Sequence, residues 1–279
     1  MLFFMNQVVI LLRSRQVIFG AMWLISSFFI VSRLPTLSEA SIFLAAFLFL
    51  RSFAMVVNGL VDRDFDRRNE RTKERPLASY SYPVYAAKGI ALLFSSFFCL
   101  AALQCGIAPF LISFFLLLLV SFYSYVKRFS WLCHWVLGSI YFLIPQSIAF
   151  VMDGGFSVES NLLGLAAGSF IAGSDILYAT QDALFDREEG LYSFPSRFGN
   201  DLTKRVFFIH YLVSLFFLFC IGWYSGYSIV YFLSLSFLPM SFVYVQNLEE
   251  VNRQFHLLNV ATGTFVFLSF LLEYIWRIL

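Results

Sequence analysis

The chain has 279 residues, of which 60% are hydrophobic, 20% aromatic and only 13% charged, with 37 Phe. A soluble core could not hide so much apolar side chain, so the composition describes an all-α, polytopic membrane protein. The formal net charge of +2 excludes a nucleic-acid binder, whose surface would be basic throughout.

In chain order, residues 1–16 open with the apolar run MLFFMNQVVILL, and its nearest positive charges, Arg13 and Arg15, follow it. A secretory signal carries its charges in front and a small-residue cleavage site behind. The pattern predicts an interfacial lead-in that stays on the protein. Apolar runs of about 20 residues, enough to cross a bilayer as helix, then recur. They lie near 17–33, 39–59, 84–103, 108–126, 131–151, 160–181, 206–224, 227–245 and 258–277. These predict nine transmembrane helices in a single domain over residues 1–279, without a soluble domain or flexible linker.

With nine spans, the lead-in and the loops after the second, fourth, sixth and eighth helices share one side. That side holds sixteen Lys and Arg, from Arg13 to Arg253, and the other only Arg33 and Arg277. The asymmetry places the basic loops in the cytoplasm and the C-terminus outside, with the chain in the inner (cytoplasmic) membrane. Arg51 is left over, inside the second helix. A charge at that depth is costly and marks a polar interior or a pathway. It faces a central cavity, continuing inward the stripe of Asn58, or it pairs with another helix for packing.

Cys99, Cys105, Cys133 and Cys220 lie in or beside apolar segments without a CxxC pair, and read as small buried hydrophobes. His134, His210 and His256 are not spaced at i, i+4, so a His/Cys metal site is not expected.

Charge is concentrated instead in two stretches. In NGLVDRDFDRRNERTKERPL, Asn58, Asp62 and Asp66 fall at i, i+4 and i+8 and share one helical face. In DILYATQDALFD, Asp175, Tyr178, Asp182 and Asp186 step by three, four and four along a second stripe. Four acids on two stripes destabilise one another without a cation. Their oxygen donors suit a hard divalent ion such as Mg2+, which keeps waters and shares substrate phosphates. The nearby Arg and Lys would repel a metal alone, but fit a phosphate-bearing ligand lying between them and the metal. A diphosphate at the cytoplasmic mouth, with its remainder among Phe and Leu, points to a lipid diphosphate. Mg2+ and guanidinium groups would stabilise the departing diphosphate. An allylic lipid would then leave a carbocation, which needs a dry, aromatic-lined cavity and an acceptor.

The two stretches fit NxxxDxxxD followed by RTxxRPL (Arg71–Leu77), and DxxYAxxDxxxD followed by GLxSxPxRxG (Gly190–Gly199). With YSYVKRF (Tyr123–Phe129) and the adjoining WLCHWVLG, the chain resembles the UbiA superfamily of intramembrane aromatic prenyltransferases, in its 4-hydroxybenzoate polyprenyltransferase-like branch. The resemblance implies a helical bundle around a central cavity, capped by cytoplasmic loops and open laterally to membrane lipid. It implies that Asp62, Asp66, Asp182 and Asp186 hold a diphosphate through Mg2+, with Asn58 and Asp175 supporting or joining them. Arg71, Arg75, Lys127 and Arg128 become the diphosphate contacts, Tyr178 lies beside the diphosphate or the acceptor, and Arg51 is offered to the acceptor's carboxylate. The implied reaction moves a polyprenyl group from polyprenyl diphosphate to a ring carbon of an aromatic hydroxy acid of the 4-hydroxybenzoate type, in ubiquinone or menaquinone synthesis. It calls for no obligate protein partner and no nucleic acid. One departure from the commonest first motif is that Gly59, not Asp, follows Asn58. It leaves a hydroxynaphthoate of the futalosine menaquinone route as the alternative acceptor.

Other classes fit less of the pattern. A secondary transporter also sets acids and an arginine in a bundle, but near the bilayer midplane. The DGxxAR opening of the CDP-alcohol phosphotransferases is missing, since Ala183 follows Asp182 and Arg63 follows Asp62. Of the remaining charges, Asp64 points away from Asp62 and is expected in solvent or on Arg68. Arg67, Arg68, Lys73, Arg197, Lys204 and Arg205 read equally well as topology determinants. Glu273 and Arg277 are spaced as an i, i+4 ion pair.

Overall fold

The computed structural model describes residues 2–13, 16–246 and 250–279. Its elements are α1 (Leu2–Leu11), α2 (Val17–Ser26), α3 (Leu37–Arg68), α4 (Val84–Gln104), α5 (Ile107–Val126), α6 (Cys133–Asp153), α7 (Val158–Tyr178), α8 (Ala183–Glu188), α9 (Phe194–Phe198), α10 (Asn200–Tyr224), α11 (Ile229–Leu235), α12 (Phe237–Gln246) and α13 (Val251–Ile278). No strand occurs among the described residues.

Among those residues seven helices are long and apolar enough to cross a membrane: α3, α4, α5, α6, α10, α13 and the run Val158–Glu188 that joins α7 to α8. The protein is a multi-pass membrane protein. At the first and eighth expected positions stand shorter apolar helices, Val17–Phe29 and Ile229–Val245, so seven of the nine expected positions carry helices of full spanning length among the described residues. The reasons are local. Ser26 and Ser27 turn their hydroxyls back onto the carbonyls of Met22 and Trp23, at 2.7 and 2.8 Å, where α2 gives way to a 3-10 turn. In the first turn of α12, Pro239 lacks the N–H that would bond four residues back to Leu235, the last residue of α11.

The chain packs as two compact units, one of residues 1–17 with 37–129 and the other of 18–36 with 130–279. In the first unit α3 packs on α4 and α5, and α1 lies on α3. Leu11, Val56, Leu77, Tyr82, Ala87 and Ala91 form its core. With 32 residues, α3 is about 48 Å long and outruns a hydrocarbon layer of about 30 Å. The Asn58–Arg68 stretch therefore continues as helix beyond the apolar run.

In the second unit α7 is the most deeply buried of the long helices and packs between α6 and α10. Small residues allow this. A Cβ on Gly138 of α6 would lie 2.6 Å from the Gly168 carbonyl oxygen of α7, and one on Gly173 would lie 2.6 Å from His210 Cβ on α10. Such absent side chains let helix backbones approach closely in a membrane. Ser157 and Ser160 cap the start of α7 reciprocally, satisfying donors that a helix start otherwise leaves open. At the far end of α13 the expected Glu273–Arg277 pair forms at 2.8 Å. Glu273 also accepts the Ser228 backbone N–H at 3.0 Å, fastening the start of α11 to α13.

Candidate functional site

The first motif lies on continuous helix, so its side chains meet as the spacing predicts. Asn58 Nδ2 donates to Asp62 Oδ2 at 3.0 Å. Asp62 and Asp66 are buried, at 4% and 7% exposure, and a buried carboxylate needs a counter-ion. Lys127 Nζ lies 2.9 Å from Asp62 Oδ2. Arg75 Nη1 donates to both Asp66 oxygens, at 2.8 and 3.0 Å. The RTxxRPL segment comes back to the helix end because Thr72 Oγ1 donates to the Asp66 carbonyl at 3.1 Å. Two cations expected to touch a diphosphate thus pair directly with the two acids.

The other basic candidates are placed differently. Arg128 Nη2 donates to the Val61 carbonyl at 2.6 Å, and its guanidinium stands 5.3 Å from the rings of Phe65 and Tyr125. Arg71 is exposed, and its backbone N–H bonds Asn69 Oδ1 at 2.9 Å. Arg51 Nη2 reaches Gln16 Oε1 at 3.4 Å, and its Nε is buried without a hydrogen-bond partner. Asp64 pairs with Arg63 at 3.1 Å and with Arg67 at 3.8 Å, while the Arg68 guanidinium lies over the Phe65 ring at 5.0 Å. Exposed Lys73 is held above the ordinary ammonium range by its hydrogen bond to Glu70.

Gly59 has a packing cause. A Cβ there would lie 3.2 Å from both Leu11 Cδ1 and Leu77 Cδ1. The lead-in helix and the RPL segment fill the space that a larger residue would take. The lead-in also reaches the motif directly, since Arg13 Nη2 donates to Asn58 Oδ1 at 3.2 Å.

The second motif departs from one continuous stripe. Helix α7 ends at Tyr178, and Ala179–Asp182 form a 3-10 turn before α8. Thr180 Oγ1 bonds back to the Leu177 carbonyl at 2.7 Å, and Gln181 Nε2 to that of Tyr178 at 3.1 Å. Each 3-10 step turns about 20° further than an α-helical one, so Asp182 and Asp186 are rotated away from the line through Asp175 and Tyr178. Asp182 itself sits at the break, with φ −106° and ψ 4°. Asp186 is buried, and its carbonyl accepts the Leu191 N–H at 2.7 Å. The Tyr178 ring packs on Phe255, with centroids 4.5 Å apart.

Asp175 leads to a residue that neither motif names. His134 Nδ1 lies 2.7 Å from Asp175 Oδ2, and His134 Nε2 accepts the Phe194 N–H at 3.2 Å. Phe194 opens α9, whose start is held by a reciprocal Ser193–Ser196 cap. Only the place of His134 in WLCHWVLG, next to the recognised motifs, pointed to it.

The donors fit a hard divalent cation. Asp62 Oδ1 is a buried acceptor without a hydrogen-bond partner, and Asp66 lies one turn further along the same face. Among the described residues no group of three or more His, Cys, Asp or Glu is gathered as a metal cage. Sparse carboxylate oxygens suit an ion that keeps waters and substrate oxygens in its shell. The four thiols are free, Cys133 buried and the other three half-buried.

Comparison with known proteins agrees with this picture. Residues 17–271 match the model of the UbiA prenyltransferase family. A 4-hydroxybenzoate octaprenyltransferase of Haemophilus ducreyi is 30% identical over 213 residues, covering 76% of each chain. One from Francisella tularensis subsp. novicida is 29% identical over 213 residues, covering 75% of this chain and 74% of the relative. Among solved structures, the apo form of a UbiA homolog from Aeropyrum pernix K1 superposes with a TM-score of 0.81 at 24% identity, covering 93% of this chain and 98% of that one. A UbiA homolog from Archaeoglobus fulgidus bound to GPP and Mg2+ superposes with a TM-score of 0.69 at 16% identity, covering 95% and 99%.

Proposed function

Since the chain belongs to the UbiA prenyltransferase family and is a membrane-embedded prenyl-transferring enzyme, we propose that it moves a polyprenyl group from its diphosphate to a ring carbon of a 4-hydroxybenzoate-type aromatic acid, in quinone synthesis. The observation that carries this reading is the end of α3, where two buried acids one turn apart each hold a cation. A diphosphate with its metal finds there partners of both signs. The names of the Haemophilus and Francisella relatives support the acceptor class.

In this proposal Asp62, Asp66, Asp182 and Asp186 hold Mg2+, which when bound neutralises the diphosphate so that it can leave. Asn58 orients Asp62 through their hydrogen bond. Lys127 and Arg75 exchange carboxylate partners for phosphate oxygens, and Arg71 and Arg128 add positive charge at the same helix end. Asp175 supports or joins the acids that hold the diphosphate, Tyr178 lies beside the diphosphate or the acceptor, and Arg51 would exchange Gln16 for the acceptor's carboxylate. The two units work as one catalytic domain, a reading supported by a family match that runs through both. The basic loops, sixteen cations against two, support a cytoplasmic location for both motifs in the inner membrane.

The test is purified protein with Mg2+ and a long prenyl diphosphate, offered 4-hydroxybenzoate and a hydroxynaphthoate in parallel, with product read by mass. Prenylated benzoate is expected. Product from the naphthoate alone would move the acceptor to the alternative pathway. No product from either, across several prenyl lengths and with folded protein, would overturn the proposal.

A further inference from the structure

His134 stands one residue into α6 and is 3% exposed, yet the proposed reaction does not use it. An Nε2 that accepts the Phe194 N–H carries no proton, so the ring's proton is on Nδ1 and is donated to Asp175. A doubly protonated ring would set its Nε2–H against the Phe194 N–H, two donors facing each other in a buried place. The neutral ring is therefore a rigid bridge, a donor at one end and an acceptor at the other. One end reaches the first acid of the second motif. At its other end it satisfies an N–H that the start of α9 leaves open, since Ser193 is engaged with Ser196 N–H.

We propose that His134 is a positioning residue for prenyl transfer, which sets the orientation of Asp175 and the closure of the Gly190–Gly199 segment together. The inference rests on reading the second motif as part of the substrate site. One Asp175 oxygen is used by the ring, so the other is what remains for a ligand. The segment is held from its opposite side by Arg187, whose Nε and Nη2 donate to the Ser196 carbonyl at 3.2 and 3.1 Å. Neither amide side chain replaces the ring. Asn offers a donor near the Nδ1 position and leaves Phe194 N–H open. Gln offers an acceptor near the Nε2 position and releases Asp175.

The experiment uses full-length protein in detergent, wild type and the variants His134→Asn, His134→Gln and His134→Leu. In 15N-histidine spectra, the signals lost in His134→Gln assign His134. They are expected to be one protonated nitrogen, Nδ1, and one bare nitrogen, Nε2. Trypsin cleavage after Arg197 reads closure of the segment, and prenyl transfer reads the site. His134→Gln is expected to keep Arg197 protected while turnover falls roughly 10- to 100-fold, as for outer-shell partners of a working carboxylate. His134→Asn should open the chain after Arg197 to cleavage and lose less turnover than His134→Gln, and His134→Leu should be both cleaved and slowed. The reverse tautomer, an imidazolium, equal losses in the Asn and Gln variants, or an unaffected His134→Leu would each overturn the bridge. If the wild type prenylates no acceptor, the spectra and the cleavage pattern still decide on His134, so the two failures are told apart.

Discussion

Substituting Gly138 by Ala tests whether the crossing of α6 and α7 sets the spacing of the second motif. The added Cβ would lie 2.6 Å from the Gly168 carbonyl oxygen and 3.0 Å from Ala172 Cβ. Carbon–oxygen contacts in packed helices run no closer than about 3.3 Å, so the helices must part by about 0.7 Å. The obstructing atom is backbone inside a helix, and no rotamer change relieves it. Gly138 is one turn beyond His134, and Ala172 is one turn before Asp175, so the displacement falls on the 2.7 Å His134–Asp175 contact. At about 3.4 Å that contact would leave the hydrogen-bond range. Overpacking of this kind costs about 1–3 kcal/mol, and a shift approaching 1 Å near a reacting site can cost roughly 100-fold in rate. Gly138→Ala should melt several degrees lower in detergent and turn over about tenfold more slowly or worse. Gly155→Ala, where a Cβ meets nothing within 4 Å, is the control and should match wild type. A Gly138→Ala protein with wild-type melting and turnover would refute the reasoning, because the crossing would then not control the site.

Three further outcomes can be checked on the same material. Asp62→Asn removes the charge that Lys127 and the proposed metal share, and is expected to cut turnover by about 100-fold or more while the protein stays folded in the membrane; ordinary turnover would remove Asp62 from the site. Chelation of divalent ions should stop prenyl transfer and added Mg2+ should restore it, whereas transfer that persists in excess chelator would end the metal assignment. Glu273→Gln weakens the buried hydrogen bonds that tie Ser228 and Arg277 to α13, so a loss of about 1–3 kcal/mol is expected in thermal unfolding, with turnover per folded molecule unchanged; undiminished stability would show those bonds to be unimportant.

What could be read from the chain follows the range of the interaction concerned. Asn58, Asp62 and Asp66 were legible because an i, i+4 spacing on a helix is a purely local relation, and α3 does run through all three. The second stripe was only half legible. Its spacing is the same, but Thr180 and Gln181 bond back to their own turn and tighten it, a choice that spacing does not encode. Contacts across 45 and 41 residues, Arg13 with Asn58 and His134 with Asp175, depend on which helices pack together and were beyond local pattern. The apolar runs at 17–33 and 227–245 were legible, but their shortness was not, because a mean apolar character says nothing of serines and a proline that interrupt a helix.

The cations show where reasoning from charge is right about need and incomplete about partner. Acids on one face require positive charge, and the sequence offered a metal for the acids and arginines for a phosphate. Burial imposes a stricter condition, because a desolvated carboxylate is costly at every stage and not only when substrate is present. Lys127 and Arg75 meet that condition by sitting on Asp62 and Asp66 themselves. A diphosphate arriving with its metal would then enter no bare acidic pocket. It would exchange partners, the metal taking the carboxylates and the phosphates taking the released cations, so that neither acid passes through an uncompensated state. On the proposed function, the same residues that compensate one another at the end of α3 without ligand would be the ones to receive it.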